Sequence, residues 1–211
     1  MKKVLVAGLL LWSVFSLGVS ARGRVGAGYL LGTTTRTDAL GTRGYVFQGP
    51  LAHARWSFDF SYYLDLDFGL EWRYQFVNTS SVGIHPVSGL PSGDRFNEEY
   101  VSIPLNVNFI ISTEDLGALR FLDYVGAYAG PRLDWCIYSY NGSERTFSYM
   151  KQDYGYRPLN VLGGIGLYVI KGKWSFTLTA DHGFLDRCIK EDVKITNDWF
   201  ASLRIGFEFG N

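Results

Sequence analysis

Between residues 64 and 76 every second residue is apolar: Leu64, Leu66, Phe68, Leu70, Trp72, Tyr74 and Phe76 alternate with Asp65, Asp67, Gly69, Glu71, Arg73 and Gln75. A period of two is the mark of a strand with one apolar and one charged face. A soluble sandwich would bury the apolar row, whereas a membrane barrel turns that row to lipid and points the charges into a narrow lumen. The same alternation predicts strands at 24–33, 45–57, 63–76, 100–111, 121–138, 157–170, 174–182 and 198–209. The links at 58–62, 112–120 and 171–173 are the shorter ones. Those at 34–44, 77–99, 139–156 and 183–197 are longer and rich in Gly, Ser, Thr, Asn and Asp. Short turns at one end and long loops at the other are the plan of an outer-membrane barrel, with the short end periplasmic. An even number of strands puts both termini at that end.

Tryptophan tests the parity, because its apolar ring and polar N–H favour the headgroup boundary. Trp56, Trp72, Trp135, Trp174 and Trp199 all fall on the apolar face of their strands and near a strand end. Threaded up and down, Trp56 and Trp174 form a periplasmic girdle and Trp72, Trp135 and Trp199 an outer one. The expected fold is therefore all-β, an eight-stranded antiparallel up-and-down transmembrane β-barrel.

The start of the chain agrees with that address. Met1-Lys2-Lys3 is followed by an apolar run from Val4 to Leu17 and a small-x-small exit at Val19-Ser20-Ala21, the pattern of a cleaved secretory signal. The run is too short for a spanning helix, which needs roughly 20 residues. The expectation is a signal peptide at 1–21 and one outer-membrane barrel domain at 22–211. Without Lys2 and Lys3 the chain keeps 18 basic and 20 acidic residues, a net charge of −2. This balance gives no reason to expect nucleic acid as a partner. Aromatic residues at 17% and 25 glycines suit interfacial girdles and a crowded interior.

Three segments carry a family resemblance. Tyr100-Val-Ser-Ile-Pro-Leu-Asn-Val-Asn-Phe109, Ala127-Tyr-Ala-Gly-Pro-Arg-Leu133 and Gly163-Gly-Ile-Gly-Leu-Tyr168 resemble the fourth, fifth and sixth strands of the PorT-like outer-membrane β-barrels. The resemblance implies an outer-membrane address and names no substrate; a role as an accessory in protein export or envelope assembly is what it would add. Pro104 and Pro131 fall inside predicted strands, where proline removes a ladder hydrogen bond, so a β-bulge is expected at each. The closing Arg204-Ile-Gly-Phe-Glu-Phe209 resembles the signal read by the barrel-assembly machinery, with Gly210-Asn211 following it. That machinery and the outer-membrane lipids are the expected partners.

Parity places Asp65, Asp67, Glu71, Arg73, Arg132, Asp134, Arg204 and Glu208 in the lumen as a charge network, with Arg24, Asn106, Asn108, Tyr128, Asn160, Thr177, Thr179 and Asp181. Eight strands leave an interior that side chains can fill, and charges there must be paired. A salt-bridged plug is the leading expectation, with a narrow polar conduit and a substrate pocket as alternatives. His53, His85 and His182 assemble into no Ser-His-Asp set, because Asp181 and His182 point to opposite faces. No catalytic residue, metal site or cofactor is expected. Cys136 and Cys188 both fall near the outer end, and passage through an oxidising periplasm allows them to pair; the alternative is two buried thiols. An arginine at Phe68 is expected to disturb a lipid-facing row, and one at Gly69 to be accommodated among lumen carboxylates. The function read from all this is a non-catalytic outer-membrane protein with a structural or surface-binding role through its outer loops. The alternatives are the PorT-like accessory role, a narrow channel or an outer-membrane enzyme.

Overall fold

The computed structural model describes residues 21–78, 95–114, 116, 119, 121–141, 144–146, 157–188 and 191–210. The leader expected at 1–21 lies outside them except for Ala21, as does His85, and the loops expected at 77–99 and 139–156 fall largely outside. The described strands are β1 (Ala21–Asp38), β2 (Gly41–Asp59), β3 (Leu64–Asn78), β4 (Arg95–Ser112), β5 (Tyr124–Asn141), the short β6 (Glu144–Thr146), β7 (Leu159–Lys171), β8 (Trp174–Gly183) and β9 (Lys194–Phe209). β1 to β5 pair in chain order, β5 then pairs with β7, and β7, β8 and β9 lead back to β1, so the ladder closes. All pairings are antiparallel, and β6 only extends the end of β5. The molecule is an eight-stranded antiparallel β-barrel.

The stagger of the barrel can be read from its register. From Trp174 the paired residues run through Phe207, Val25, Ala54 and Leu70. They continue through Ile103, Leu133 and Val161. The path returns at Phe184, whose N–H donates to the Val161 carbonyl. From position 174 to position 184 is a stagger of ten residues. For eight strands this means a steep tilt, of roughly 35–45°, and an interior with room for side chains but not for a wide channel. The path also ranks heights: it begins in the Trp174 girdle, ends at the outer rim, and has Leu70 at its halfway point.

Two expectations are corrected here. The long loop expected at 34–44 is a continuous hairpin, with Thr34 opposite Tyr45 and the ladder running to Asp38 opposite Gly41. The turn is only Ala39-Leu40; Asp38 Oδ1 accepts the Leu40 N–H at 2.9 Å, and Gly41 takes the positive φ of 110° that closes it. Thr33, Thr35 and Thr37 have high strand propensity. This part of the hairpin has no apolar face because it stands beyond the outer girdle. Likewise β9 begins at Lys194 and not at residue 198.

The second correction concerns the prolines. Neither Pro104 nor Pro131 sits at a bulge: the β4–β5 register is the same before and after them, and the shift lies at Glu99/Tyr100. Each proline is instead set beside glycine. Pro131 follows Gly130 and pairs with Gly163 across β7, Pro104 lies opposite Gly69 in the β3–β4 register, and Pro50 follows Gly49. A Cβ at Gly49, Gly69 or Gly130 would run into a backbone carbonyl of the adjacent strand. The prolines are thus accommodated without an extra residue, the register being the same on either side of them. A second shift lies between β1 and β9, where Gly32 faces Phe200 and Thr34 faces Asn197, so that Asp198 and Trp199 share one partner position.

Candidate functional site

The outward face is an apolar belt. Val25, Leu31, Leu66, Leu70, Ile103, Leu105, Val107, Leu133, Ile165, Leu167, Phe176, Leu178, Leu203 and Ile205 are all exposed. Trp72, Trp135, Trp174 and Trp199 are exposed too. Trp56 points outward and is half-buried because it stacks on Phe68, at 5.7 Å between ring centroids, while Phe58 stacks on the same ring at 5.4 Å. Trp174 meets Phe207 edge to face at 5.5 Å, and Trp199 lies 4.7 Å from the His182 ring. Such a belt covers a closed ladder whose backbone groups are satisfied between strands, which is the condition for spanning a bilayer with strands.

From the periplasmic end to beyond mid-height the interior is mostly polar, interrupted near the mouth by a small buried cluster of Ile110, Tyr128, Tyr168 and Ile170. Asp65, Asp67, Glu71, Arg73, Arg132, Asp134 and Arg204 are all buried on the inward face, with Arg24 and Glu208 part-buried near the mouth. Glu71 is the centre. It accepts Arg132 Nη1 at 2.9 Å and Arg204 Nη1, and it has Arg55 Nη2 at 3.7 Å and Arg73 Nε at 3.9 Å. Arg132 also reaches Asp181 at 3.2 Å, and Arg73 pairs with Asp134. Lower down, Arg24 Nε donates to Glu208 at 2.9 Å. Asp65 joins this lower tier through Arg22, at 2.5 Å, and Asp67 lies one inward position deeper. Charges held at such distances in a low-dielectric space fix one another's positions, and removing one leaves its partners uncompensated.

Above the ions the interior turns apolar. Leu30, Tyr45, Phe47, Leu51, Tyr100, Leu162, Ile195 and Phe200 form one buried cluster. The Phe200 ring joins the two layers, with the Arg73 guanidinium 4.8 Å and that of Arg132 5.8 Å from its centroid. Desolvated cation–π contacts of this kind contribute about 2 kcal/mol or more. Over the plug, Arg187 of the β8–β9 loop donates to Glu98 at 2.9 Å and to Asn197 at 3.0 Å, and the Tyr100 hydroxyl donates to Glu98 at 2.7 Å. The described lumen is filled from ion network to lid.

Several of these residues were not singled out by alternation. Arg55 shares the parity of His53 and was readable as a lumen residue. Arg187 lies in a loop where no period applies, and the inward Leu30, Phe47, Leu162 and Phe200 run against the polar-interior rule. Cys136 and Cys188 form no disulfide: both are thiols, buried in the same apolar cluster. Each packs there as a small apolar side chain, and the Cys136 thiol lies 3.4 Å from the Tyr138 carbonyl.

The periplasmic mouth has a cavity of about 1150 Å³ between the β2–β3 turn and the β4–β5 loop. Arg22 crosses its floor, bonded to Asp59 at 3.0 Å and to Asp65 at 2.5 Å. At the far side of the same end, Asp123 accepts the Gly172 N–H at 2.6 Å and the Lys171 ammonium at 3.0 Å. Those two donors hold its carboxyl below the usual carboxylate range.

No family model matches the chain, and no curated relative matches it. Among solved structures it is similar to OprG from Pseudomonas aeruginosa, at 11% identity and a TM-score of 0.48 over 92% of this chain and 98% of that one. It is also similar to Ail, the attachment invasion locus protein of Yersinia pestis, at 10% identity and a TM-score of 0.45 over 90% and 99%. Neisserial surface protein A matches at 12% identity and a TM-score of 0.45 over 90% and 97%. The assignment stands on the chain's own closed ladder, lipid-facing belt and charged interior. It is an outer-membrane β-barrel.

Proposed function

We propose that this chain is a non-conducting, non-catalytic protein of a Gram-negative outer membrane, acting through what it displays outside and through the rigidity it lends the bilayer. The observation that carries the reading is the filled interior: an ion network centred on Glu71, capped by an apolar plug and then by the Glu98–Arg187 lid. A barrel closed in this way offers its outer end as a surface and not as an entrance. The β1–β2 hairpin supports the same reading, since it rises beyond the girdle as a rigid ladder with exposed Thr33, Thr37 and Leu40. Outer-membrane lipids cover the belt, and the barrel-assembly machinery inserts the chain.

Reconstitution into planar bilayers tests this directly. The purified barrel is expected to give no discrete conductance steps, and steps of uniform size would overturn the reading. Replacing the hairpin tip, residues 36–43, by a two-residue turn is expected to leave insertion intact while removing any surface binding measured on whole cells.

A further inference from the structure

The bulge in β9 builds an outward-facing cluster that neither the plug nor the apolar belt explains. Asn197 and Phe200 are buried on the inward face, while the two residues between them, Asp198 and Trp199, both turn outward. A regular strand would put a carboxylate and the neighbouring indole on opposite faces. The extra residue sets them side by side, which is how a bulge re-aims a side chain. Adjacent strands complete the cluster. His182 lies directly across the ladder from Trp199, with the ring centroids 4.7 Å apart, and its Nδ1 bonds the Asp198 carbonyl. The Thr196 hydroxyl donates to Asp198 Oδ1 at 2.9 Å, and the Thr35 hydroxyl donates to Oδ2.

The two threonines fix the carboxylate in place, and each of its oxygens keeps a lone pair for a further donor. A neutral imidazole that donates from Nδ1 to a carbonyl accepts at Nε2. Trp199 is 59% exposed, so this corner offers an open indole with two kinds of acceptor beside it, at the height where rings meet headgroups. The other outer-girdle tryptophans are paired with apolar residues instead: Trp72 with Ala52 and Val101, Trp135 with Val101 and Leu159. Anchoring in the boundary needs only the ring. It gives no reason for a buttressed carboxylate and an imidazole next to it.

A sugar ring fits this chemistry. One face of a pyranose is made of C–H groups that cover an aromatic ring, and its hydroxyls donate to carboxylate and imidazole acceptors. A few placed polar groups beside an aromatic surface are what fixes a ligand's orientation. We propose that the outward corner of β8, β9 and β1 binds the sugar headgroup of an outer-leaflet glycolipid. The ring lies on Trp199, and its hydroxyls donate to Asp198 and to His182 Nε2. Position selects a lipid-borne sugar, because below Trp199 the same face continues as the apolar Leu178, Ala201 and Leu203, where acyl chains pack. Lys194, exposed above Thr196 on that face, makes an anionic headgroup the rival. This inference rests on the barrel and its orientation, and it does not depend on whether the lumen conducts.

The test uses the full barrel in a polyoxyethylene detergent, which carries no sugar, with a neutral glucosyl diacylglycerol as probe and native mass spectrometry as readout. A single bound probe per barrel is expected. Its affinity should fall by about tenfold, the loss of ~1.4 kcal/mol, in Trp199→Leu and in Asp198→Ala, and stay unchanged in Trp135→Leu. Unchanged heat-modifiable migration on a gel certifies that each variant folds. Affinity that either Trp199→Leu or Asp198→Ala leaves unchanged, or that Trp135→Leu lowers equally, would overturn the site. Diacylglycerol or phosphatidylglycerol binding as tightly as the probe would overturn the assignment to sugar. Methyl glucoside competing at the probe's own concentration would overturn the assignment to a lipid.

Discussion

Glu71 is the side chain on which most of the interior depends, since two arginines bond it and two more lie within 4 Å. Replacing it with alanine leaves Arg132 and Arg204 short of a counter-charge in a space without bulk water, at a cost of about 3–5 kcal/mol. Urea unfolding of the vesicle-inserted barrel, followed by tryptophan fluorescence, measures this; a loss below about 1 kcal/mol would mean that the network is solvated. The outward face gives a second prediction. Leu70 stands at the midpoint of the row that climbs from Trp174 to Phe184 and is exposed, so Leu70→Arg is expected to cost about 2–4 kcal/mol. Phe68→Arg should cost less, because Phe68 is beside Trp56 in the periplasmic girdle, where an arginine can reach the headgroups. Gly69→Arg, which sequence reasoning expected to be accommodated, should prevent assembly: a Cβ there meets the Ala54 carbonyl. Alternation along one strand tells which face a residue takes. It carries nothing about how near the next strand's backbone comes, and that distance decides Gly69.

Strands were legible where both the belt and the lumen imposed a pattern, and were lost where neither did. The upper β1–β2 hairpin is the clearest case, because the run Thr33-Thr34-Thr35-Arg36-Thr37 has solvent on its outer face and therefore no apolar period to read. Its turn was nonetheless encoded in Asp38 and Gly41. Gly41 has open space for a side chain but a φ of 110°, so Gly41→Ala strains the backbone alone, by about 1–3 kcal/mol. Faster amide exchange confined to residues 35–43, with no change in the lower barrel, is the expected result; exchange spreading into β9 would mean that the hairpin is needed for barrel closure. At the opposite end Asp123 ties the β4–β5 loop to the β7–β8 turn. Its carboxyl is held below the ordinary range by Gly172 and Lys171, so the tie is complete above the unfolded-state carboxylate pKa of about 4. It is lost as pH falls through the folded value. Protection of the Gly172 amide should therefore fall on acidification in the parent protein and already be low at neutral pH in Asp123→Ala.

Among the described residues the barrel interior below the plug holds six arginines, Arg22, Arg24, Arg55, Arg73, Arg132 and Arg204, and six carboxylates, Asp65, Asp67, Glu71, Asp134, Asp181 and Glu208. Arg22, ahead of the expected first strand, and Arg55 were not singled out, but the six carboxylates and the other four arginines were legible once the parity was set. Which charge meets which was not, because partners such as Glu71 and Arg204 lie on different strands 133 positions apart. The apolar layer above was not legible either, since a leucine or phenylalanine on an inward position reads as a break in the pattern. The outcome is two seals in series, ionic and apolar, joined at Phe200. Phe200→Ala removes the ring over Arg73 and Arg132 and its contact with Phe47, 6.1 Å away, and should cost about 3–5 kcal/mol. It should nevertheless leave the barrel non-conducting, because the Glu71 network still fills the lumen beneath it. Adding Arg132→Ala/Asp181→Ala removes a paired cation and anion together and opens the lower seal without an unpaired charge of its own from that pair. Only the combined variant is expected to show discrete steps in planar bilayers. Steps in Phe200→Ala alone would mean that the ion network lets water and ions past and that the apolar layer is the whole of the barrier.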